Sequence, residues 1–152
     1  MKRTLLIIAI TAVAATFAGG CSRAFTAVAP EGFATYKGGE SFRAVSPGHI
    51  VYRVRTVAND PYAGFDFWRE ALPERMKNAG YRIIADSVVV CAKDKALLLE
   101  MAAPVEQSDY TYLVMMMVGE KRILIAEAAG EFTEVQGRKT EIVGALLKNL
   151  LK

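Results

Sequence analysis

The sequence of 152 residues is long enough for one domain of ordinary size. It carries 19 lysines and arginines against 16 aspartates and glutamates, and two of the basic residues lie within the first three positions. Without those two residues the formal net charge falls from +3 to +1, which gives no electrostatic reason to expect nucleic acid as a partner.

The first 20 residues have the three regions of a secretory signal peptide. Lys2 and Arg3 form the cationic start, and residues 4–18 form an uncharged, mostly apolar run. That run is shorter than the roughly 20 residues that a transmembrane helix needs, so a permanent membrane span is not expected. The small residues Gly19 and Gly20 follow, and an extended backbone without side chains fits a peptidase cleft.

Residues 18–21, with the sequence Ala-Gly-Gly-Cys, resemble the bacterial lipobox, in which a cysteine thiol receives a diacylglycerol before signal cleavage. The resemblance implies cleavage between Gly20 and Cys21 and a lipid anchor on Cys21, with acyl chains such as palmitate. Two or more such chains hold a protein firmly on a membrane. Ser22 follows the cysteine, which by analogy with sorting in enteric bacteria implies the periplasmic side of the outer membrane. The alternative is ordinary secretory cleavage near Ala18, which would leave a soluble periplasmic protein.

The remainder of the chain is expected to comprise a lipidated N-terminus and tether, residues 21–35, and a single domain, residues 36–152. The tether has no periodicity and is rich in small residues. About 12 flexible residues span about 20 Å, enough to hold a small domain off a membrane surface. The second cysteine, Cys91, lies in an apolar run and is expected to be a buried, inert thiol if Cys21 is acylated; otherwise a disulfide between the two is the alternative.

A β-hairpin is predicted around residues 46–49, where Pro followed by Gly suits the middle of a type II turn. If the Pro-Gly pair forms the loop, Arg43 lies beside Tyr52, on the face opposite to Arg53. Arg43, Arg53 and Arg55 are a candidate anion-binding site. Ordinary cross-strand charge pairing is the alternative interpretation of these arginines.

One helix is predicted within residues 59–81, because apolar residues recur there at three- and four-residue steps. Pro73 removes a helical hydrogen bond, so we expect either a kink near Glu70 or a helix that starts there. Gly80 suits the position just after a helix, where left-handed backbone ends it. The aromatic residues near the helix start, Trp68 among them, are expected to pack in the core, and lining a ligand pocket is the alternative.

Runs of β-branched and aliphatic residues then predict four strands, at residues 81–92, 96–104, 110–118 and 122–130. Gly119 and Glu120 are expected to form a type II′ turn with glycine at its first position. Both faces of the last two strands are mostly apolar, so this pair should be central in the sheet. Met115, Met116 and Met117 point alternately to the two faces, which predicts core filling and not a copper site.

A C-terminal helix is predicted within residues 130–152, with apolar residues from Phe132 onward near one face and lysines in the last turns. Strands, a helix, further strands and a final helix define an α+β domain. Helices packed on both faces of the antiparallel sheet would bury its two apolar faces. The expected architecture is therefore an α/β/α sandwich after an N-terminal signal peptide.

This order of elements resembles the PsbP-like α/β/α sandwich, which is shared by an extrinsic protein of photosystem II and a Ran-binding nuclear transport factor. The clearest part is YLVMMMVGEKRILIAEAAGEFTEVQGRKTEIVGALLKNL, residues 112–150, with a long strand, a tight turn, a strand, a phenylalanine and a helix. The resemblance extends loosely over residues 36–152. It implies a binding or assembly module and not an enzyme, and it transfers no functional residue.

Residues suited to enzymatic chemistry are few. His49 is the only histidine and is expected to be exposed beside a turn, so neither a catalytic triad nor a histidine-based metal site is predicted. The sequence holds no glycine-rich phosphate loop and no cysteine pair at metal-ligand spacing, so no metal and no cofactor is expected. Glu127 is an acid in an apolar strand, facing Tyr112 in the predicted register. A carboxylate reaching water at a strand end is the simpler interpretation, and a buried acid is the alternative.

The sequence therefore favours a lipid-anchored protein of the bacterial cell envelope that binds an envelope protein or a small ligand and catalyses no reaction. The candidate ligand-binding residues are Trp68, Arg43, Arg53 and Arg55. The alternatives are a structural lipoprotein that self-associates through sheet edges, and a small periplasmic enzyme that uses Glu127 or Cys91.

Overall fold

A computed structural model describes residues 27–38, 41–91, 94–103 and 109–150. In these ranges the chain forms β1 (Ala34–Gly38), β2 (Ser41–Val45), β3 (Val51–Ala58), α1 (Phe65–Asn78), β4 (Arg82–Cys91), β5 (Asp94–Ala103), β6 (Tyr110–Val118), β7 (Arg122–Glu131), α2 (Phe132–Gly137) and α3 (Lys139–Leu150). The predicted signal peptide, its cleavage position at Gly20 and the lipidated Cys21 lie outside the described residues, as does the side chain of Cys91. None of the helices in the described ranges has the length and apolar character needed to cross a membrane.

All seven strands form one sheet in the order β1-β2-β3-β7-β6-β5-β4. Every neighbouring pair is antiparallel. The β6–β7 pair lies in the middle of the sheet, which confirms the prediction made from its two apolar faces. With the three helices of the described ranges, the domain is an α+β fold, as expected.

Alternate residues along the strands contribute to two separate apolar clusters. One, which we call the α3 cluster, contains Met115 of β6 together with Leu146 of α3. The other, the α1 cluster, contains Met116 of β6, with Leu72 of α1 packed against it. Because neighbouring strand residues point to opposite sides of a sheet, consecutive methionines fill different clusters, as predicted.

The β2–β3 hairpin has a wider loop than the predicted Pro-Gly pair. Ser46 and Ile50 pair at its base, with the Ser46 amide donating to the Ile50 carbonyl at 3.0 Å. Three residues form the loop, and exposed His49 takes the left-handed conformation with φ 60°. The third loop residue shifts the pairing of β2 with β3 by one residue, so that Arg43 lies opposite Arg53 and not beside a tyrosine. Two arginines that were predicted on opposite faces therefore share one face.

The β6–β7 turn lies one residue later than predicted. The Gly119 amide donates to the Arg122 carbonyl at 2.9 Å, so Glu120 and Lys121 form the two-residue loop. A Cβ on Gly119 would lie only 2.9 Å from that carbonyl oxygen, which favours glycine here. The strand register differs from the predicted one by two residues. Side chains alternate with a period of two, so the predicted faces are nevertheless correct.

Helix α1 begins at Phe65, so the second of the two expectations, a helix starting at Glu70, is wrong. Its first turn packs apolar side chains against the α1 cluster, and this packing outweighs the lost hydrogen bond at its internal proline. The predicted end is confirmed. Gly80 has φ 91°, and the Tyr81 amide donates to the Met76 carbonyl at 3.0 Å, as in a Schellman motif.

The predicted C-terminal helix is divided in two. α2 ends at Gly137, and α3 begins after Arg138, whose φ of −119° interrupts the helical backbone. Because glycine has a low helix propensity, interrupting the helix at this position costs little free energy. Val135 and Ile142 are fully buried in the α3 cluster. Phe132, predicted to share their face, is 48% exposed.

Part of the predicted tether contacts the domain. The Val28 amide donates to Asn149 Oδ1 at 2.7 Å, and Asn149 Nδ2 donates to the Val28 carbonyl at 2.8 Å. The ring of Phe33 meets that of Tyr52 edge to face, with centroids 6.1 Å apart. Residues 27–35 therefore belong structurally to the domain and not to a free linker.

Candidate binding groove

Two adjoining cavities lie on the side of the sheet against which α1 packs. The first has a volume of about 200 Å³ and is lined by Tyr36, Arg43, Val51, Arg53, Tyr112, Glu127 and Ala129. The second has a volume of about 490 Å³ and is lined by Arg55, Val57, Ala58, Trp68, Leu72, Arg75, Met76, Tyr112, Val114, Met116, Ile123, Ile125 and Glu127. Tyr112 and Glu127 line both cavities, so the two form one depression, which we call the Glu127 groove.

All four residues singled out from the sequence as ligand-binding candidates line this groove. Arg43 and Arg53 line the first cavity, and Arg55 and Trp68 line the second. The hairpin register brings Arg43 to this side, and the placement of α1 brings Trp68. The sequence suggested an arginine cluster and an aromatic cluster as separate features, and the fold joins them.

Glu127 lies where the two cavities meet, and its side chain is only 5% exposed. Its Oε1 accepts hydrogen bonds from Arg53 Nε and, at 3.3 Å, from Arg55 Nε. Its Oε2 accepts one from the Tyr112 hydroxyl, which reaches it diagonally across the β6–β7 pair. The interpretation of Glu127 as a carboxylate reaching water is therefore wrong. A central strand buries it, and a buried charge requires such partners.

The surroundings of Tyr112 keep its phenol protonated. Burial raises the pKa of Tyr112 above its ordinary value of 10.0, and the hydrogen bond to Glu127 and its negative charge act in the same direction. Tyr112 therefore donates to Glu127 throughout the neutral pH range. With both oxygens of Glu127 engaged, the arrangement suits orientation of the two guanidinium groups better than proton transfer.

The larger cavity is mainly apolar. Its sheet side is formed by aliphatic residues and Met116, and α1 contributes Leu72 and Met76. No residue of α1 is fully buried. The helix thus covers the sheet without filling the space beneath it.

Trp68 is held in place by Asn59, a residue that the sequence analysis missed. The indole Nε1 donates to Asn59 Oδ1 at 3.2 Å. Buried Asn59 also donates to the carbonyls of Ala63 and Gly119, both at 2.9 Å. It therefore ties the end of β3 to the start of α1 and to the β6–β7 turn. A single asparagine after a strand has the appearance of a loop residue, so no sequence pattern distinguished it.

A second buried carboxylate, Glu100, lies on the opposite side of the sheet. Its oxygens accept hydrogen bonds from Gln136 at 2.7 Å and Lys139 at 2.5 Å. Burial alone would raise the pKa of Glu100, but the hydrogen bonds and the positive charge of Lys139 outweigh it, and the pKa is lowered. These contacts attach α2 and α3 to β5, which is a structural role.

Within the described ranges, no three histidine, cysteine, aspartate or glutamate side chains are placed to hold a metal ion. In the same part of the chain, every buried side-chain nitrogen and oxygen has a hydrogen-bond partner. The polar groups of the groove are therefore arranged by contacts within the protein itself.

No family model and no curated protein matches the chain. Solved structures do match it, among them protein PA94 of Pseudomonas aeruginosa, a candidate regulator whose function is unknown. That match has a TM-score of 0.55 at 12% sequence identity and covers 75% of this chain and 93% of the other. At this identity the similarity concerns the fold, and the chain shares its α+β fold with that protein.

Proposed function

We propose that this chain is a lipid-anchored module of the bacterial cell envelope that binds a ligand or an envelope partner in the Glu127 groove and catalyses no reaction. One observation carries the proposal. The arginines and the tryptophan chosen from the sequence line one groove, together with a buried carboxylate that orients two of them. Ligand sites commonly combine an apolar cavity with a few convergent polar groups in this way.

The anchor is proposed from residues 18–21, with acylation of Cys21 and sorting to the outer membrane. The test is the mass of the N-terminal peptide of protein made in a bacterial host that processes lipoproteins. An acylated peptide beginning at Cys21 is expected, and a Cys21→Ala variant should lack it. An unmodified peptide that begins elsewhere would contradict the anchor.

We also infer the finer architecture, an α/β/α sandwich of the PsbP-like type. In support, α1 packs on one apolar cluster and α3 on the other. Alternate residues of the strands contribute to these two clusters. The binding or assembly role implied by that resemblance agrees with the groove.

Binding can be tested with the fluorescence of Trp68, the single tryptophan of the chain. Fractions of a cell-envelope extract are added to the mature chain, residues 21–152, with Cys21→Ala to remove its own acyl groups. We expect one fraction to change the emission, and the double variant Arg53→Gln/Arg55→Gln to respond less. An unchanged emission with every fraction, or an equal response of the variant, would argue against a binding groove.

Self-association through a sheet edge is the second candidate, and β4 is the observation that favours it. This edge strand leaves Ile84, Val88 and Val90 exposed, Val90 by 67%. A bulge between Ile83 and Ala85 interrupts its register, a device that discourages edge pairing. We therefore expect a monomer in sedimentation at all concentrations. Concentration-dependent growth that Val90→Lys abolishes would support the structural alternative instead.

A further inference from the structure

The lining of the Glu127 groove carries a surplus of positive charge. Four arginines line the groove, Arg43, Arg53, Arg55 and Arg75, whereas Glu127 is the one carboxylate among the described lining residues. Glu127 contacts Arg53 and Arg55 through Nε, and the terminal nitrogens of both make no hydrogen bond within the described ranges. Both side chains are about one-third exposed, at 36% and 33%. Oriented guanidinium groups of this kind suit a carboxylate or phosphate oxygen pair.

The strand register adds a second argument for an anion. Arg43 lies directly opposite Arg53, and like charges that face each other across a strand pair are destabilising. Arg43 Nε donates to the Ser41 hydroxyl at 3.0 Å, and no carboxylate of the described residues pairs with Arg43. Glu127 thus offsets the positive charge of Arg53 but not that of Arg43. A bound anion between the two arginines would compensate both.

The second cavity supplies an apolar compartment next to this charge. Its volume of about 490 Å³ lies within the range of about 300–1,000 Å³ that is usual for small-molecule sites. Val57, Met116 and Ile123 lie on its sheet side, and half-buried Leu72 and Met76 of α1 lie on the other. An alkyl chain placed there would complete the contacts that α1 leaves open.

We propose that the Glu127 groove binds a single-chain amphiphile with one anionic headgroup. The headgroup lies against Arg43, Arg53 and Arg55, and the alkyl chain lies between α1 and the sheet. A small anion would leave the apolar compartment empty, and a neutral hydrocarbon would leave Arg43 without an acidic partner among the described residues. The inference rests on the proposed binding function and specifies its ligand class.

The test titrates the mature chain carrying Cys21→Ala with dodecanoate and with dodecyl phosphate, below the concentrations at which they form micelles. Trp68 fluorescence reports occupancy. We expect saturable binding at one site, at least about tenfold tighter than for the neutral control dodecanol. Acetate and inorganic phosphate, which are headgroups alone, should leave the emission unchanged. The tighter of the two amphiphiles distinguishes a carboxylate from a phosphate headgroup.

Two further measurements connect the binding to the arginines. Arg53→Gln/Arg55→Gln should weaken dodecanoate binding by about tenfold or more, whereas Arg69→Gln, on the exposed side of α1, should not change it. The same chain with all its arginines intact supplies a test that needs no arginine variant. Added salt should weaken the binding of dodecanoate and leave that of dodecanol nearly unchanged, because salt screens charge interactions.

The ligand class is wrong if dodecanol binds as tightly as dodecanoate, if salt has no effect on dodecanoate, or if neither anionic amphiphile gives a saturable signal. If an envelope fraction still changes the emission of Trp68 in an arginine-dependent manner, the binding function survives and only the ligand class fails. Binding of an amphipathic peptide in place of the amphiphiles would likewise overturn this inference alone.

Discussion

At the scale of single residues, Glu127 determines the chemistry of the groove. The sequence located an acid in an apolar strand and a nearby tyrosine, and the fold confirms that Glu127 and Tyr112 touch. The partners Arg53 and Arg55 were not paired with Glu127 in advance, because that contact depends on β3 lying next to β7, far away in sequence. For the same reason a buried Glu127 was only the alternative interpretation of the sequence.

Replacing Glu127 by glutamine should destabilise the fold, because Arg53 and Arg55 lose the charge that holds them. Hydrogen bonds to charged groups contribute about 1.5–3 kcal/mol, and the partial exposure of both arginines places the expected loss near the lower end. Urea unfolding measures the free-energy change. The control Glu120→Gln, in the exposed β6–β7 turn, should change it by less than about 0.5 kcal/mol. Equal stability of the two variants would contradict the buried ion pair.

Glu100 predicts a pH dependence. Its pKa is lowered in the folded protein, so the unfolded chain binds the proton first as the pH falls below the ordinary value of 4.5. Its stabilising contribution is therefore complete above that pH and is lost as the pH falls through the folded-state pKa. We expect the stability difference between wild type and Glu100→Gln to shrink between neutral pH and the acid range. A difference that stays constant or grows on acidification would show that Glu100 is not held as an anion by Lys139.

At the scale of elements, local signals predicted the C-terminal end of α1 but not the exact pairing of the strands. Gly80 was recognised because a helix end needs left-handed backbone, which depends on neighbouring residues alone. The two hairpin registers were wrong because each depends on which residues form the loop. The β2–β3 loop has three residues and not two, and the two-residue β6–β7 loop lies one residue later than predicted. An error of one residue at the β2–β3 hairpin placed Arg43 on the wrong side, whereas an error of two at the β6–β7 turn preserved the faces.

Gly80→Ala should destabilise the protein by about 1–2 kcal/mol, because a Cβ is disfavoured in left-handed backbone. Gly144→Ala is the matched control within α3, where a Cβ would meet no atom within 4 Å. That change should stabilise the helix by about 0.5–1 kcal/mol. Thermal unfolding of the two variants distinguishes the positions, and a stabilised Gly80→Ala would refute the Schellman assignment.

At the scale of the whole molecule, the alternation of apolar residues predicted an α+β domain with β6 and β7 in the centre of its sheet. The groove itself could not be predicted from the sequence. It requires the neighbours of β3, the register of Arg43 and the position of Trp68 over the sheet, which are all long-range features. The proposal of a membrane-anchored binding module therefore combines a local motif at Cys21 with a site that only the fold assembles.

The most direct test is the NMR spectrum of methionine methyl groups in residues 21–152, with Cys21→Ala, during titration with dodecanoate. Met76 and Met116 line the groove, whereas Met115 lies on the other side of the sheet in the α3 cluster. The signals of Met76 and Met116 should move to saturation while that of Met115 remains in place. Shifts at Met115 without shifts at Met116, or no shift at any methionine, would contradict binding in the Glu127 groove.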